Sequence, residues 1–104
     1  MKRIILLAFL CTTTLVMAQR INHVQEAIAN YDYEAALTLI AKEKPTIPLL
    51  LQKGKAQRGL GMNTEALSTY QEIITNDTAN TRAYIEAAEC CRSLAKYQQA
   101  LKYY

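Results

Sequence analysis

The residues of this sequence that are best able to do chemistry are two adjacent cysteines, Cys90 and Cys91, and the single histidine, His23. Adjacent cysteines on one helix point about 100° apart and make a poor disulfide with each other. Zinc requires about four ligands, and His23 lies far upstream on another predicted helix. We therefore expect the two cysteines to pack as small apolar residues between helices. A redox-active or intermolecular thiol is the alternative.

Recognisable catalytic patterns are missing from the sequence. It contains no glycine-rich phosphate loop, no cluster of metal ligands and no serine–histidine arrangement with a third orienting group. His23, Tyr31 and Asp32 fit helix-surface and turn positions better than catalytic ones. The sequence thus predicts a protein that is not an enzyme and that holds no cofactor or metal.

Residues 1–18 have the pattern of an export signal. Lys2 and Arg3 supply positive charge, residues 4–11 form an apolar run, and Ala18 ends a small-residue motif of the kind that a signal peptidase reads. The pattern predicts cleavage after Ala18 and a mature protein in the periplasm or cell envelope of a bacterium.

Two alternatives remain for this segment. A retained membrane anchor would need about 20 mostly apolar residues, but threonines at positions 12–14 interrupt the run before Arg20. A lipid anchor on Cys11 would call for a small residue where Leu10 stands. We favour cleavage, which leaves no stable membrane span.

The charge of the mature chain argues against nucleic acid as a partner. Cleavage removes Lys2 and Arg3 from the twelve basic residues and leaves ten against nine acidic ones, a net charge of +1. So small a net charge gives no basic surface for a phosphate backbone, and export makes such a partner less accessible.

Hydrophobic periodicity predicts helices along the whole mature chain, which has few glycines and prolines. The first helix spans Arg20 to Tyr31, with an apolar stripe of Ile21, Val24, Ala27, Ile28 and Tyr31. Asp32 is expected to cap the second helix, and that helix ends before Lys44 because Pro45 disfavours a helical residue before it.

The third helix is predicted from its ends and from one internal glycine. Pro48 stands in its first turn, where a missing backbone donor costs nothing, and Gly59 and Gly61 end it. Gly54 inside the helix costs about 1 kcal/mol relative to alanine. A helix tolerates this cost where a neighbouring helix must come close.

Three further helices follow. The fourth is capped by Asn63 or Thr64 and ends near Asn76. Its apolar positions are Ala66, Leu67, Tyr70, Ile73 and Ile74. The fifth spans about Thr81 to Leu94 and is expected to bury Tyr84, Ile85, Ala87, Ala88, Cys91 and Leu94. The sixth has Tyr97, Ala100, Leu101 and Tyr104 on its apolar side.

The segment that starts at Leu50 repeats itself at an offset of 34 residues, the separation of Ala66 from Ala100. Small residues fall on small ones and large apolar residues on large apolar ones: Leu50 on Tyr84, Gly54 on Ala88, Ala66 on Ala100 and Tyr70 on Tyr104. A fixed period of this size is typical of stacked helical arrays.

With these residues in these places, the mature chain resembles the tetratricopeptide repeat (TPR) family, whose unit is a helix–turn–helix of 34 residues. Unit one spans residues 20–46, unit two 47–80 and an incomplete unit three 81–104, about two and a half repeats within a domain of residues 19–104. Lys53, Gln57 and Thr78 depart from the usual Leu, Tyr and Pro. The resemblance implies an all-α solenoid of antiparallel helix pairs, although related helical repeats fit the pattern too.

If the family geometry applies, the first helix of each pair lines a concave groove. The groove positions would be Leu51, Gln52, Lys55 and Arg58 in unit two, and Arg82, Ile85, Glu86, Glu89 and Arg92 in unit three. Mixed charges around Leu51 and Ile85 suit an extended peptide, with apolar contacts for affinity and ion pairs for alignment. The Lys, Asn and Arg set of the carboxylate-clamping members is not matched, and the alternative is that these charges only solvate the surface.

Two functions remain open at this stage. The first is an exported scaffold that binds a partner peptide or protein in the groove. The second is an N-terminal sensory or regulatory region of a larger receptor or enzyme, since by the alignment Tyr104 lies in mid-helix. We expect an uncapped last helix there, either continued by further chain or available for self-association.

Overall fold

The computed structural model describes residues 21–95 and 101–104, and these residues form an all-helical fold without strands. The helices are α1 (21–29), α2 (Tyr33–Ala41), α3 (Ile47–Gly59), α4 (Asn63–Asn76) and α5 (Thr81–Ser93), and residues 101–103 are helical. The predicted signal segment and its cleavage site lie outside the described residues, as do Tyr97 and Ala100 of the predicted sixth helix.

Side-chain caps explain where three of these helices begin. Asp32 accepts a hydrogen bond from the amide of Ala35, as predicted, and Thr46 accepts one from the amide of Leu49 at the start of α3. Asn80 caps α5 in the same way, because its side chain accepts from the amide of Ala83 at 3.0 Å.

The predicted cap of α4 is wrong. Asn63 is already the first helical residue, the capping position is Met62, and Met62 provides no side-chain hydrogen bond. Helix α3 ends at Gly59, and the amides of Leu60, Gly61 and Met62 donate hydrogen bonds to carbonyls near its end. The turn therefore ends at Met62, one residue before the position that Asn63 would occupy as a cap.

Consecutive helices pack against each other, and hydrogen-bonded residues show that α3 and α4 are antiparallel. Gln57, near the end of α3, contacts Thr69, while Gly54, earlier in α3, lies against Tyr70, later in α4. The connection between α4 and α5 is also a short turn, so α5 reverses direction again.

The core consists of two clusters that meet at α3. The N-terminal cluster contains Val24, Ile28, Ala36, Ile40, Leu49 and Ala56. The C-terminal cluster contains Leu50, Ala66, Leu67, Tyr70, Ile73, Ala83, Ala87, Ala88, Cys90 and Cys91. Adjacent residues on α3 thus serve opposite clusters, which makes this helix the shared wall of the fold.

Most predicted core positions are buried, and the prediction for the cysteines is confirmed. Cys90 and Cys91 are fully buried in the C-terminal cluster, and Ala66 is fully buried at the close contact that the 34-residue period predicts. Gly54 has the predicted close neighbour, because a Cβ built there would clash with the ring of Tyr70 on α4.

Four residues predicted on apolar helix faces are exposed instead, and two of these are Tyr31 and Ile85. Tyr31 follows the end of α1 and is 79% exposed, because its backbone has left the helix at a φ of 60°. Ile85 is 45% exposed, on the side of α5 that faces away from the C-terminal cluster. Tyr84 and Leu94 are only half-buried, and Leu101 and Tyr104 are exposed.

The ends of α1, α3 and α5 share one backbone motif. Among the described residues, positive φ angles occur at Tyr31, Gly61 and Ala95. At the first two, the next amide bonds back into the helix, from Asp32 to Ala27 O and from Met62 to Gln57 O, each at 2.8 Å. Gly61 and Ala95 are 34 residues apart in the sequence, so the helix ends repeat with the interval found in the side chains.

Candidate functional site

A cleft of about 390 Å³ lies between α3 and α5 and collects most of the predicted groove residues. Its lining includes Leu51, Gln52, Lys55 and Arg58 of α3, Arg82 and Glu86 of α5, and Tyr70 of α4. All four residues predicted on α3 are present because positions 51, 52, 55 and 58 share one helix face. Six of the nine predicted residues therefore border one cleft.

Glu86 is the electrostatic centre of this cleft. Arg58 pairs with Oε2 of Glu86, and Nε of Arg82 lies 3.5 Å from Oε1, so each carboxylate oxygen has its own arginine. Burial works against the charged form of Arg58, but its hydrogen bond and charge interaction with Glu86 keep its pKa above the ordinary value. The pair holds α3 to α5 across the cleft floor.

The cleft has a positive balance. Lys55, Arg58 and Arg82 contribute three positive charges to the lining, and Glu86 contributes one negative charge. Lys55 is exposed at the rim. Half-buried Leu51 supplies an apolar wall beside these charges, so the cleft offers both a carboxylate-attracting edge and a small hydrophobic contact.

The remaining three predicted groove residues, Ile85, Glu89 and Arg92, do not line this cleft. Nη1 of Arg92 bonds both oxygens of Glu89, at 3.2 and 3.3 Å, and the Tyr104 hydroxyl donates to Glu89. The hydrogen bond from Tyr104, with the charge of Arg92, lowers the pKa of the Glu89 carboxyl. These two charged side chains connect α5 to the last residues of the chain.

A second hollow of about 290 Å³ lies between α1 and α3 and continues the first. Gln52 and Lys55 line both, so the two hollows meet on α3. The other lining residues come from α1, the turn after it and the first residue of α2: Gln25, Ile28, Ala29, Tyr31 and Tyr33. Sequence reasoning missed this hollow because its groove prediction was restricted to units two and three, although Tyr31 and Tyr33 on either side of Asp32 were a visible signal.

A third hollow, of about 400 Å³, lies on the other side of α3 and is mostly apolar. It is lined by Leu37, Ile40, Ala41, Glu43, Pro45, Leu49, Leu50, Lys53 and Gln57. Positions 49, 53 and 57 follow one another along a different face of α3 from positions 51, 55 and 58. This hollow is therefore separate from the groove.

Two titratable side chains of the C-terminal cluster, Tyr70 and Cys90, are buried. Burial, with a smaller effect of Glu86, raises the pKa of the Tyr70 phenol. Burial also raises the pKa of the Cys90 thiol to about 11, so this thiol is protonated at neutral pH and is a poor nucleophile.

Neither a metal site nor a membrane span is visible in the described part of the chain. Over residues 21–95 and 101–104, no three His, Cys, Asp or Glu side chains are grouped so that they could hold a metal ion. Within the same residues, every helix is too short or too polar to cross a bilayer.

Comparison with known proteins gives no relative for this chain. No protein-family model matches the sequence, no curated protein matches it significantly, and no solved structure matches the fold significantly. The case for its function therefore depends on the residues and the geometry described above.

Proposed function

We propose that this protein is an exported helical-repeat scaffold that binds a segment of a partner protein along the surface formed by α1, α3 and α5. The observation that carries this proposal is the cleft between α3 and α5, which is bordered by side chains of mixed charge around half-buried Leu51. Such a surface has donors and cations for a peptide and an apolar contact for one of its side chains.

A TPR-like solenoid is the architecture that best accounts for the repeated features. The 34-residue period of the sequence, the repeated positive-φ helix ends at Gly61 and Ala95, and the buried Ala66 all support it. Stacked units of this kind typically present an extended concave surface to a partner. The two hollows that meet at Gln52 and Lys55 fit such a surface.

Export is proposed from the sequence of residues 1–18, with the periplasm or cell envelope of a bacterium as the destination. Expression of the full chain with an alkaline phosphatase fused after Tyr104 tests this part. Phosphatase activity, with a mass that corresponds to cleavage after Ala18, is expected. An uncleaved and inactive fusion would contradict export.

The binding proposal is tested by selecting peptides from a random phage-displayed library on the immobilised full chain. We expect enriched peptides whose binding falls when Arg58 is changed to Glu, because the change removes a cation from the lining and places two carboxylates side by side. Arg92→Glu is the matched control, since it makes the same charge change outside the cleft. Binding should persist in that variant.

A charge swap separates loss of binding from loss of structure. Arg58→Glu combined with Glu86→Arg restores an ion pair across α3 and α5 while it reverses the positions of the charges. Helical circular dichroism should therefore be retained. Failure to enrich any peptide, or equal binding by Arg58→Glu and Arg92→Glu, would remove the groove proposal.

A further inference from the structure

The turn after α1 holds an exposed aromatic side chain in a backbone conformation that disfavours it. Tyr31 has a φ of 60° and is 79% exposed. A left-handed conformation costs a residue other than glycine about 1–2 kcal/mol. The corresponding helix end in unit two has Gly61, which adopts the same conformation without that cost. Folding thus gains little from the ring at position 31.

The ring nevertheless has a defined position. Tyr31 and Tyr33 form an edge-to-face pair with ring centroids 6.3 Å apart and planes at 78°. Tyr33 in turn lies against Gly59, where a Cβ would come within 2.5 Å of its ring. A glycine on α3 therefore allows the position of Tyr33, and Tyr33 packs against the edge or face of Tyr31.

These rings border the hollow between α1 and α3, and their neighbours there include Ile28 and Ala29. Lys55 lines this hollow as well. It is also one of the three cations that line the neighbouring cleft together with one carboxylate. A space walled by two aromatic rings therefore adjoins a positively charged one, and Gln52 and Lys55 line both. Tyrosines and arginines are the residue types most enriched where interfaces gain their affinity.

We propose that this hollow is a subsite for one large apolar side chain of the partner, seated on Tyr31 and Tyr33, with acidic residues next to it in the partner sequence. The inference deepens the proposed function and depends on it. The apolar residue fills the space between α1 and α3, and the neighbouring carboxylates pair with Lys55 and the arginines of the adjoining cleft. An extended chain rises about 3.3 Å per residue, so acids one or two positions away are within reach of that cleft.

The test uses short synthetic peptides with both ends blocked, so that no terminal carboxylate contributes. Three compositions are compared on the full chain by fluorescence polarisation: leucine flanked by glutamates, serine flanked by glutamates, and leucine flanked by lysines. We expect the leucine–glutamate peptide to bind about fivefold or more tightly than the serine–glutamate peptide, the ratio that a single well-placed contact gives. The lysine-flanked peptide should bind most weakly.

Tyr31→Gly is the decisive variant, because it removes the ring and relieves the backbone strain, so it should fold at least as well as the parent chain. The preference for leucine over serine should fall to about one in this variant, the loss expected when a contact worth a few-fold is removed. Ala95→Gly is the matched control: it makes the same backbone change at φ 59°, away from the hollow, and should keep the preference.

The outcomes distinguish this subsite from the groove itself. If Arg58→Glu weakens both glutamate peptides equally but Tyr31→Gly leaves the leucine preference intact, the groove stands and the subsite is overturned. A wild-type chain that does not distinguish leucine from serine also overturns the subsite. If neither glutamate peptide binds, the subsite is overturned, while the groove proposal is decided by the library selection with Arg58→Glu and Arg92→Glu.

Discussion

On each of two sides of α3 a glycine packs against a tyrosine ring, but the surroundings of the two rings differ. On the side that faces the N-terminal cluster, Gly59 lies against the ring of Tyr33, and on the side that faces the C-terminal cluster, Gly54 lies against the ring of Tyr70. A Cβ built at either glycine would clash with the ring. Tyr70 is 1% exposed within the C-terminal cluster, whereas Tyr33 is half-buried at the edge of the N-terminal one. Both tyrosine rings pack against a glycine of α3, but only the ring of Tyr70 is buried.

This difference assigns distinct roles to the two sides. The C-terminal cluster includes fully buried thiols and alanines, and its Tyr70 is only 1% exposed although it borders the cleft, so this cluster contributes mainly to stability. The N-terminal side leaves Tyr33 and Tyr31 accessible beside the groove. A partly exposed tyrosine contributes less to the free energy of folding than a buried one. The surface that it leaves exposed can instead contribute to the free energy of binding a partner.

The largest predicted effect is the loss of the enclosed ring. Tyr70→Ala should lower the free energy of unfolding by about 3–5 kcal/mol, as for other buried aromatic truncations. Urea denaturation followed by circular dichroism measures it. Tyr33→Ala is the matched control and should cost about half as much or less, because a half-buried ring loses less apolar area. Equal costs would break the comparison between the two sides.

The glycines provide a smaller version of the same test. Gly54→Ala gains about 1 kcal/mol of helix propensity but overpacks against the buried ring of Tyr70 at a cost of about 1–3 kcal/mol, so we expect net destabilisation of up to about 2 kcal/mol. Gly59→Ala should be close to neutral, because the partly exposed ring of Tyr33 can move aside. Thermal melts of the two variants give the comparison. A stabilised Gly54→Ala variant would mean that the Tyr70 ring is free to shift.

The features that the sequence predicted well are those that depend on one or two local residues. Asp32 starts α2 because its side chain accepts a hydrogen bond from the amide of Ala35, and Pro48 fits the first turn of α3 because it lacks a donor there. Gly54 and Ala66 were recognised as close contacts because a repeat compares each position with its equivalent. The fold class followed from such local signals together with the hydrophobic period.

The errors arise where an apolar residue has two possible roles. Tyr31 matched the helical period of α1, but the chain had already turned at that position, so periodicity alone could not distinguish a buried ring from an exposed one. Ile85 was assigned to the core as well as to the groove, and its 45% exposure favours the surface role. Glu89 and Arg92, predicted as groove positions on α5, pair with each other outside the cleft, and their contact with a partner stays a prediction.

A buried hydrogen bond between α3 and α4 has no counterpart in the N-terminal cluster among the described residues. Thr69 donates to Oε1 of Gln57 at 2.7 Å, and both residues are more than nine-tenths buried. Thr69→Val should lower the free energy of unfolding by about 1 kcal/mol, which is at the low end for a buried acceptor left unsatisfied. The cost is low because Gln57 also lines a hollow that is open to solvent, where water can reach its side chain. Exposed Thr38, whose hydroxyl donates to Glu34 O, provides the control substitution to valine, expected to be near neutral in urea denaturation.

The smallest effect concerns the repeated helix ends and has the opposite sign. Ala95→Gly should stabilise the chain by about 0.5–1 kcal/mol, because glycine adopts positive φ without strain although it loses more conformational freedom on folding. Gly61→Ala should destabilise it by a similar amount, although no side chain lies near that position. Measured together by thermal denaturation, the two changes test whether these helix ends are equivalent. If both variants shift the melting temperature in the same direction, the backbone motif does not repeat in solution, and the repeat architecture loses one of its supports.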